Sequence, residues 1–268
     1  MRFGSQGRHG KRSNLALRIL AALLFLLGLA GTAPLQPGEA REPGGRRAIA
    51  PLLKSAKPLR IGVVGDSIAG DLARGLHKLV AARHRHAVVK FTKPATGLMR
   101  DDVYDWAGAL RAFLGKTRLD VVAVIIGGND RQSIWKNGER LDHGTPEWRA
   151  EYGRRIARFM DVLAKSGVKV YWVGLPVVRS DAMSRDYRRI NAIQRAQARR
   201  HGFAYVSLWE AFADAKGNYT SFGRNIDGVK RRLRKNDGMH FSLDGELLLA
   251  HLVARAIARD VDEITSAR

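Results

Sequence analysis

Short, almost continuous apolar runs alternate with helix-like segments along most of this chain. Five runs have the length and the Val and Ile content of buried strands: Leu59–Val64, Ala87–Phe91, Leu119–Ile126, Val168–Leu175 and Phe203–Leu208. The helix-like segments are Ile68–Ala82, Val103–Leu114, Pro146–Ser166, Ser184–His201 and Leu243–Ala258. Strands without polar alternation are buried on both faces, so the pattern predicts a parallel five-stranded sheet covered by helices on both sides.

The composition limits the class of protein further. A chain of 268 residues with 45% hydrophobic residues is long enough for one α/β domain with a large core, and it is too apolar to be mainly disordered. The chain has no cysteine, which excludes thiol catalysis, disulfides and thiolate metal sites. His84 and His86 lack a nearby third ligand, so we expect surface histidines and no metal site.

The first 58 residues do not share this pattern. Basic residues precede the apolar run Ile19–Ala30, and this order of charge and apolarity is typical of a secretory signal. We predict a signal peptide or N-terminal anchor at residues 1–33, a flexible linker rich in Pro, Gly and Arg at residues 34–58, and the folded domain at residues 59–268. The protein is then exported to the periplasm or cell envelope, either released or membrane-associated through its N-terminus.

Three polar segments stand where strands end or where the last helix begins. Gly65-Asp66-Ser67 follows the first strand, Gly127-Gly128-Asn129-Asp130 follows the third, and Asp237-Gly238-Met239-His240 precedes the last helix. A serine at a strand-to-helix junction exposes its hydroxyl, which suits a nucleophile. Each segment by itself is also typical of a turn or a loop cap, because Gly, Asp, Asn and Ser are ordinary turn residues.

Together these segments contain the groups that acyl transfer needs. The hydroxyl of Ser67 needs a base, and an imidazole such as that of His240 both accepts and returns a proton near neutral pH. The carboxylate of Asp237, three residues earlier, is close enough in sequence to orient this imidazole. The side-chain amide of Asn129 and backbone N–H groups, including that of Ser67, are candidates for stabilising an oxyanion.

In the same order, Gly65-Asp66-Ser67, Gly97, Gly128-Asn129-Asp130 and Asp237-x-x-His240 resemble the sequence blocks of the SGNH hydrolases, also called GDSL esterases. The resemblance covers roughly residues 59–260. The segments TGLMRDDVYDW at residues 96–106 and GNDRQ at residues 128–132 are similar to an exported bacterial branch formerly described only as a domain of unknown function.

The resemblance implies a flavodoxin-like fold, a three-layer α/β/α sandwich, and carboxyl-ester chemistry without a cofactor or metal. It implies that Ser67 is the nucleophile, His240 the base and Asp237 the residue that orients the base. It also implies an oxyanion hole formed by the N–H groups of Ser67 and Gly97 and the amide of Asn129.

Two long connections, at residues 131–145 and 211–236, interrupt the alternation, and we expect substrate selection there because open α/β sheets bind ligands at this edge. The candidate substrate-binding residues are Asp130, Arg131 and Trp135; a tryptophan either stacks on a sugar or belongs to the core.

The net charge of +22 favours anionic partners such as acidic glycans or phospholipid head groups. The basic run Lys230–Lys235 lacks the interleaved aromatic residues of a nucleic-acid site, so we predict no nucleic-acid partner. The run is either a solvated face or a lining of the site.

The sequence therefore predicts an exported serine esterase or O-acyltransferase. It acts on acyl esters of a cell-envelope glycan, most simply acetyl esters, or on small esters, through a Ser-His-Asp triad and an acyl-enzyme. The alternative is a non-catalytic SGNH-like envelope protein that binds a polysaccharide or a protein partner through the same cleft.

Overall fold

A parallel sheet of five strands forms the centre of the structure, a computed structural model that describes residues 45–81 and 85–267. In chain order its strands are β1 (Arg60–Gly65), β2 (Ala87–Thr92), β3 (Val121–Ile125), β6 (Lys169–Val173) and β7 (Ala204–Val206). Their spatial order is β2-β1-β3-β6-β7, and every pair of neighbours is parallel. All residues of β3 are fully buried. The predicted parallel sheet is confirmed.

Helices cover this sheet in two layers. They are α1 (Ala50–Leu53), α2 (Ser67–Leu76), α3 (Trp106–Lys116), α4 (Pro146–Lys165), α5 (Asp181–Arg200), α6 (Trp209–Phe212), α7 (Leu243–Arg259) and α8 (Val261–Ser266). Helix α7 packs against α1 and α2, whereas α4 packs against α3 and α5. The architecture is the predicted three-layer α/β/α sandwich. In residues 45–81 and 85–267, no helix is long and apolar enough to cross a membrane.

Capping side chains shift several helix ends from their predicted positions. Asp105 caps α3 by accepting a hydrogen bond from the backbone N–H of Gly108 at 3.0 Å, so this helix begins at Trp106 and not at Val103. Ser180 caps α5 in the same way, so this helix begins three residues before the predicted Ser184. The α-helical part of α2 ends at Leu76, and a π-helical turn follows it to Ala81.

The described part of the predicted linker is folded, which corrects the boundary predicted between residues 58 and 59. Residues 46–49 form a 3₁₀ helix that leads into α1, and Ile49 and Leu52 are fully buried in the core. His86 holds this segment in place: its Nδ1 accepts a hydrogen bond from the N–H of Leu59 at 3.0 Å, and its Nε2 donates to the carbonyl of Leu52 at 2.9 Å. His86 is therefore a buried structural residue and not a surface histidine. His84 and residues 1–44 lie outside the described residues.

Two short antiparallel hairpins lie within the long connections. The connection after β3 contains β4 (Ile134–Lys136) and β5 (Glu139–Leu141), and the connection after β7 contains β8 (Phe222–Arg224) and β9 (Lys230–Arg232). Asn137 and Gly138 turn the first hairpin with φ angles of 50° and 82°. Both connections leave the carboxyl ends of the sheet strands, so the added structure lies at the edge where a ligand is expected.

Candidate active site

The junction between β1 and α2 presents Ser67 as the first residue of a helix. Gly65 ends the strand with a φ of 143°, and a Cβ here would overlap the carbonyl of Ile125 on the neighbouring strand, so only glycine fits. Asp66 caps the helix, since its Oδ1 accepts a hydrogen bond from the N–H of Ile68 at 3.0 Å. The N–H of Ser67 has no acceptor within the described residues, as is usual in the first turn of a helix.

The second oxygen of Asp66 fixes the loop after β3. Its Oδ2 accepts hydrogen bonds from the N–H groups of Gly127 at 3.1 Å and Gly128 at 2.9 Å. Complete burial raises the pKa of Asp66 to about 6, although its three backbone hydrogen bonds act in the opposite direction. Asp66 is thus a buried connector between the loop of the candidate nucleophile and the loop that contains Asn129.

Ser67, His240 and Asp237 form a continuous hydrogen-bonded chain. The Nε2 atom of His240 lies 2.9 Å from Oγ of Ser67, and its Nδ1 atom lies 2.8 Å from Oδ2 of Asp237. When Nδ1–H donates to the carboxylate, Nε2 is left to accept the proton of the serine hydroxyl. The side chains of His240 and Asp237 remain 28% and 49% exposed, so the chain of groups is open to a substrate.

The carboxylate of Asp237 is held in its ionised form. Partial burial raises its pKa, but hydrogen bonds from the backbone N–H groups of Met239 and His240 and from the imidazole outweigh this and lower the pKa to about 2. The two backbone bonds also fix the orientation of the carboxylate toward the ring. Asp237 can therefore hold the imidazole in one tautomer and stabilise an imidazolium.

Asp71, which no sequence motif singled out, connects the helix that begins with Ser67 to the segment that contains His240. It lies one helical turn after Ser67 on α2, and its Oδ2 accepts the N–H of Phe241, the residue after His240, at 3.1 Å. Its other oxygen contacts the guanidinium of Arg74, which also donates to Glu246 of α7 at 2.9 Å. The spacing of four residues between Ser67 and Asp71 is the signal that places both on one face of the helix.

The three predicted oxyanion donors lie at the first residue of α2 and on two loops that contact each other. The N–H of Gly97 has no acceptor within residues 45–81 and 85–267. Asn129 donates one hydrogen of its amide to the carbonyl of Thr96 at 2.9 Å, which leaves the second hydrogen for another acceptor. The structure therefore connects the Asn129 loop directly to the residue before Gly97. Their role in catalysis stays a prediction.

The expectation that Asp130 binds substrate is wrong. Its side chain is buried, and its carboxylate accepts hydrogen bonds from the N–H groups of Leu98 and Met99 at 3.1 and 3.2 Å and from the hydroxyl of Tyr152 at 2.7 Å. Burial raises its pKa. A Cβ on Gly97 would overlap this carboxylate. Asp130 thus shapes the loop of the predicted oxyanion donor from inside the protein.

The two other predicted substrate-binding residues differ in their surroundings. Arg131 donates to the carboxylate of Asp186 on α5 at 2.9 Å, so its charge is already paired. Trp135, on the β4–β5 hairpin, is 66% exposed, whereas Trp106 and Trp148 are buried in the core. Substrate binding by Arg131 and Trp135 stays a prediction. Within the described residues, no group of three or more His, Asp or Glu side chains is arranged to hold a metal ion.

Solved structures with the same fold include a GDSL-like lipase, a putative acylhydrolase and an esterase. A GDSL-like lipase from Bacteroides thetaiotaomicron has a TM-score of 0.53 at 14% identity, over 80% of this chain and 96% of its own. A putative acylhydrolase from Bacteroides fragilis has a TM-score of 0.54 at 13% identity, over 81% of this chain and 96% of its own. A variant of an acetyl-xylooligosaccharide esterase from Geobacillus has a TM-score of 0.51 at 19% identity, over 76% of this chain and 96% of its own.

The protein therefore has the α/β fold of the SGNH, or GDSL, hydrolases, as the resemblance of its sequence blocks implied. A family described as a protein of unknown function, DUF459, matches residues 60–256, and the chain belongs to this family. A comparison with curated protein sequences gives no match.

Proposed function

We propose that this protein is an exported serine esterase or O-acyltransferase that acts on acyl esters, most simply acetyl esters, of a cell-envelope glycan. One observation carries the proposal: the hydroxyl of Ser67, the imidazole of His240 and the carboxylate of Asp237 are joined by hydrogen bonds of 2.9 and 2.8 Å. A serine activated by an oriented imidazole is a nucleophile for ester carbonyls.

In the acylation step, Oγ of Ser67 attacks the carbonyl carbon of the ester while Nε2 of His240 takes the hydroxyl proton. The negative charge that develops on the carbonyl oxygen requires preorganised donors, and each such donor contributes about 3 kcal/mol to the stability of the transition state. The N–H groups of Ser67 and Gly97 and the free hydrogen of the Asn129 amide are suited to this role. The imidazolium then returns its proton to the leaving alcohol, and the acyl group stays on Ser67.

In the deacylation step, an acceptor hydroxyl gives its proton to His240 and attacks the acyl-enzyme. Water as acceptor gives hydrolysis, and a sugar hydroxyl gives transfer. The same three residues serve both reactions, since the acceptor alone differs. The imidazole and the carboxylate that supports it are partly exposed, which allows either acceptor to approach.

Two features support a glycan as substrate. The exposed ring of Trp135 offers an apolar face of the kind that stacks on a sugar, and its hairpin follows the Asn129 loop directly. One protein of the same fold is named an acetyl-xylooligosaccharide esterase. Export is supported by the basic residues and the apolar run Ile19–Ala30 at the N-terminus of the sequence.

Labelling with a fluorophosphonate probe tests the proposal. The wild-type protein should become labelled at Ser67, and Ser67→Ala should not. Ser133→Ala is the matched control, because this serine lies in the neighbouring connection but bonds only to Asp142; it should be labelled like the wild type. A folded wild-type protein that takes up no label would contradict the proposal.

A binding protein without catalysis is the second candidate, and the exposed Trp135 together with the net charge of +22 favours it. It predicts glycan binding that is the same in wild type, Ser67→Ala and His240→Ala, with no ester turnover in any of them. Turnover that disappears in Ser67→Ala would exclude it.

A further inference from the structure

Two exposed arginines hold the loop that contains Asp237. From the connection after β6, Arg179 donates its Nη1 hydrogen to the carbonyl of Asn236 at 2.7 Å, and its backbone N–H donates to the carbonyl of Gly238 at 3.0 Å. From β9, Arg232 donates to the side-chain oxygen of Asn236 and, at 3.0 Å, to the carbonyl of Arg234. The two guanidinium groups therefore bond to residues just before Asp237, and the backbone of Arg179 bonds to the residue just after it.

The charges of these two arginines are not neutralised. Their side chains bond only to neutral amide and carbonyl oxygens, and no carboxylate of the described part of the chain forms an ion pair with either. Asp237 uses one oxygen for backbone N–H groups of its own loop and the other for His240. Both arginines are exposed, so their remaining N–H groups face solvent.

A third positive charge lies behind them. Arg234 is fully buried, donates one hydrogen bond to the carbonyl of Val177 at 2.6 Å, and has no partner for its Nε and Nη1 atoms. Burial lowers its pKa to about 10, so it remains a cation at neutral pH. Its guanidinium lies 4.4 Å from the ring centroid of Phe241. Neither predicted role, a solvated face or a lining of the site, therefore applies to the whole basic run Lys230–Lys235, because Arg234 is buried in the core.

Fixed guanidinium groups without an acidic partner are suited to an oxyanion, because their planar N–H pairs match the two oxygens of a carboxylate or phosphate. We propose that Arg179 and Arg232 form an oxyanion subsite beside the triad, and that Ser67 acts on acyl esters of an acidic glycan whose sugar carries a carboxylate or phosphate near the ester. This inference rests on the proposed ester chemistry and specifies its substrate class.

The test compares three acetylated substrates: an oligogalacturonide, which carries carboxylates, a phosphorylated dextran, and a neutral xylo-oligosaccharide. At low salt the wild type should hydrolyse one or both anionic substrates with a kcat/KM at least tenfold above that of the neutral one. The preferred anionic substrate shows whether the subsite binds a carboxylate or a phosphate. Arg179→Gln and Arg232→Gln should each lower this preference about tenfold, the loss expected for a charged hydrogen bond.

Two controls separate recognition from loop support. Arg179→Lys keeps the charge but not the planar donor pair, so it should retain part of the preference. Arg200→Gln removes one exposed charge from the last turn of α5 and should leave the preference unchanged. Equal rates on charged and neutral substrates in the wild type, or equal losses on both in the arginine variants, would overturn the inference.

Binding to the inactive Ser67→Ala protein makes the subsite testable apart from catalysis. Calorimetry should give at least tenfold tighter binding of the preferred anionic oligosaccharide than of the neutral one, and Arg179→Gln should abolish this difference. If the wild type takes up no fluorophosphonate, the proposed catalysis fails while this binding result still decides the subsite. If the probe reacts and binding shows no preference for charge, only the subsite is wrong.

Discussion

The electrostatics of Asp237 are the most restrictive feature at the scale of single residues. Its pKa of about 2 keeps it ionised through the neutral range, and its charge is lost only as the pH falls through about 2. Asp237→Asn removes the charge that holds the imidazole tautomer, and we expect kcat to fall about 10⁴-fold. Steady-state kinetics on an aryl acetate between pH 5 and 9 measures this, with Asp227→Asn in an exposed turn as control. A loss below tenfold would contradict the role assigned to Asp237.

Gly97 gives a second prediction at this scale. In Gly97→Ala the new methyl group overlaps the carboxylate of Asp130, so the loop and its free N–H must move. We expect kcat to fall about 10²- to 10³-fold, the effect of losing one oxyanion donor. Gly115→Ala is the control, because its Cβ meets no atom within 4 Å, and its kcat should equal that of the wild type. Equal kcat for both variants would exclude Gly97 from the oxyanion hole.

At the scale of elements, Asp66 connects the cap of α2 to the loop after β3, and its burial makes this connection depend on pH. A folded-state pKa of about 6 against an ordinary value of 3.8 means that the folded protein binds the proton more tightly than the unfolded chain. The contribution of Asp66 to the free energy of unfolding should therefore fall as the pH rises from about 4 to about 6, by at most about 3 kcal/mol.

Urea titrations of the wild type and Asp66→Asn at pH 4, 5, 6 and 7 measure this contribution. The variant should be less stable throughout, because it loses an acceptor for buried N–H groups. Its deficit should be largest at pH 4 and shrink toward pH 7, where the wild type contains the buried charge. A deficit that does not change with pH would show that Asp66 keeps an ordinary pKa.

Asp71 couples α2 to the loop before α7. Asp71→Asn weakens the acceptor of the Phe241 N–H, so His240 should be held less firmly against Ser67. We expect a fall in kcat of about tenfold, with little change in KM for a small ester, since of the interactions of Asp71 only the hydrogen bond from the Phe241 N–H adjoins His240. Asp262→Asn on α8 is the control. A change confined to the thermal midpoint, with kcat intact, would reduce Asp71 to a structural residue.

At the scale of the whole molecule, the segment before β1 belongs to the core. Leu52 is fully buried beneath α7, so Leu52→Ala should lower the free energy of unfolding by about 2–5 kcal/mol. Leu243→Ala, at a position that is 52% exposed, should change it by less than about 0.5 kcal/mol. Chemical denaturation compares the two variants. Equal free energies of unfolding would support the prediction that the segment before β1 is a flexible linker.

The sequence predicted the parts of the fold that local pattern controls. Buried strands and helices have their own periodicities, and the order of the polar segments predicted which loops meet at the edge of the sheet. What it missed depends on tertiary contact. An aspartate in a loop can bind a ligand or accept hydrogen bonds inside the protein, and the sequence does not distinguish these roles. Asp130 is buried because the Gly97 loop packs against its carboxylate, which is a tertiary contact. Arg179 lies in a connection without any motif, and only the approach of the Asn236 loop gives it a role.

Formation of an acyl-enzyme on Ser67 tests the proposed catalysis most directly. Wild-type protein mixed with an activated acetyl ester, quenched early and examined by intact-protein and peptide mass spectrometry, should carry one acetyl group on Ser67. Ser67→Ala should carry none, and His240→Ala should acquire it far more slowly. Ester turnover with the acetyl group on another residue would contradict catalysis by Ser67. So would turnover without any acetylated protein and with an unchanged rate in Ser67→Ala.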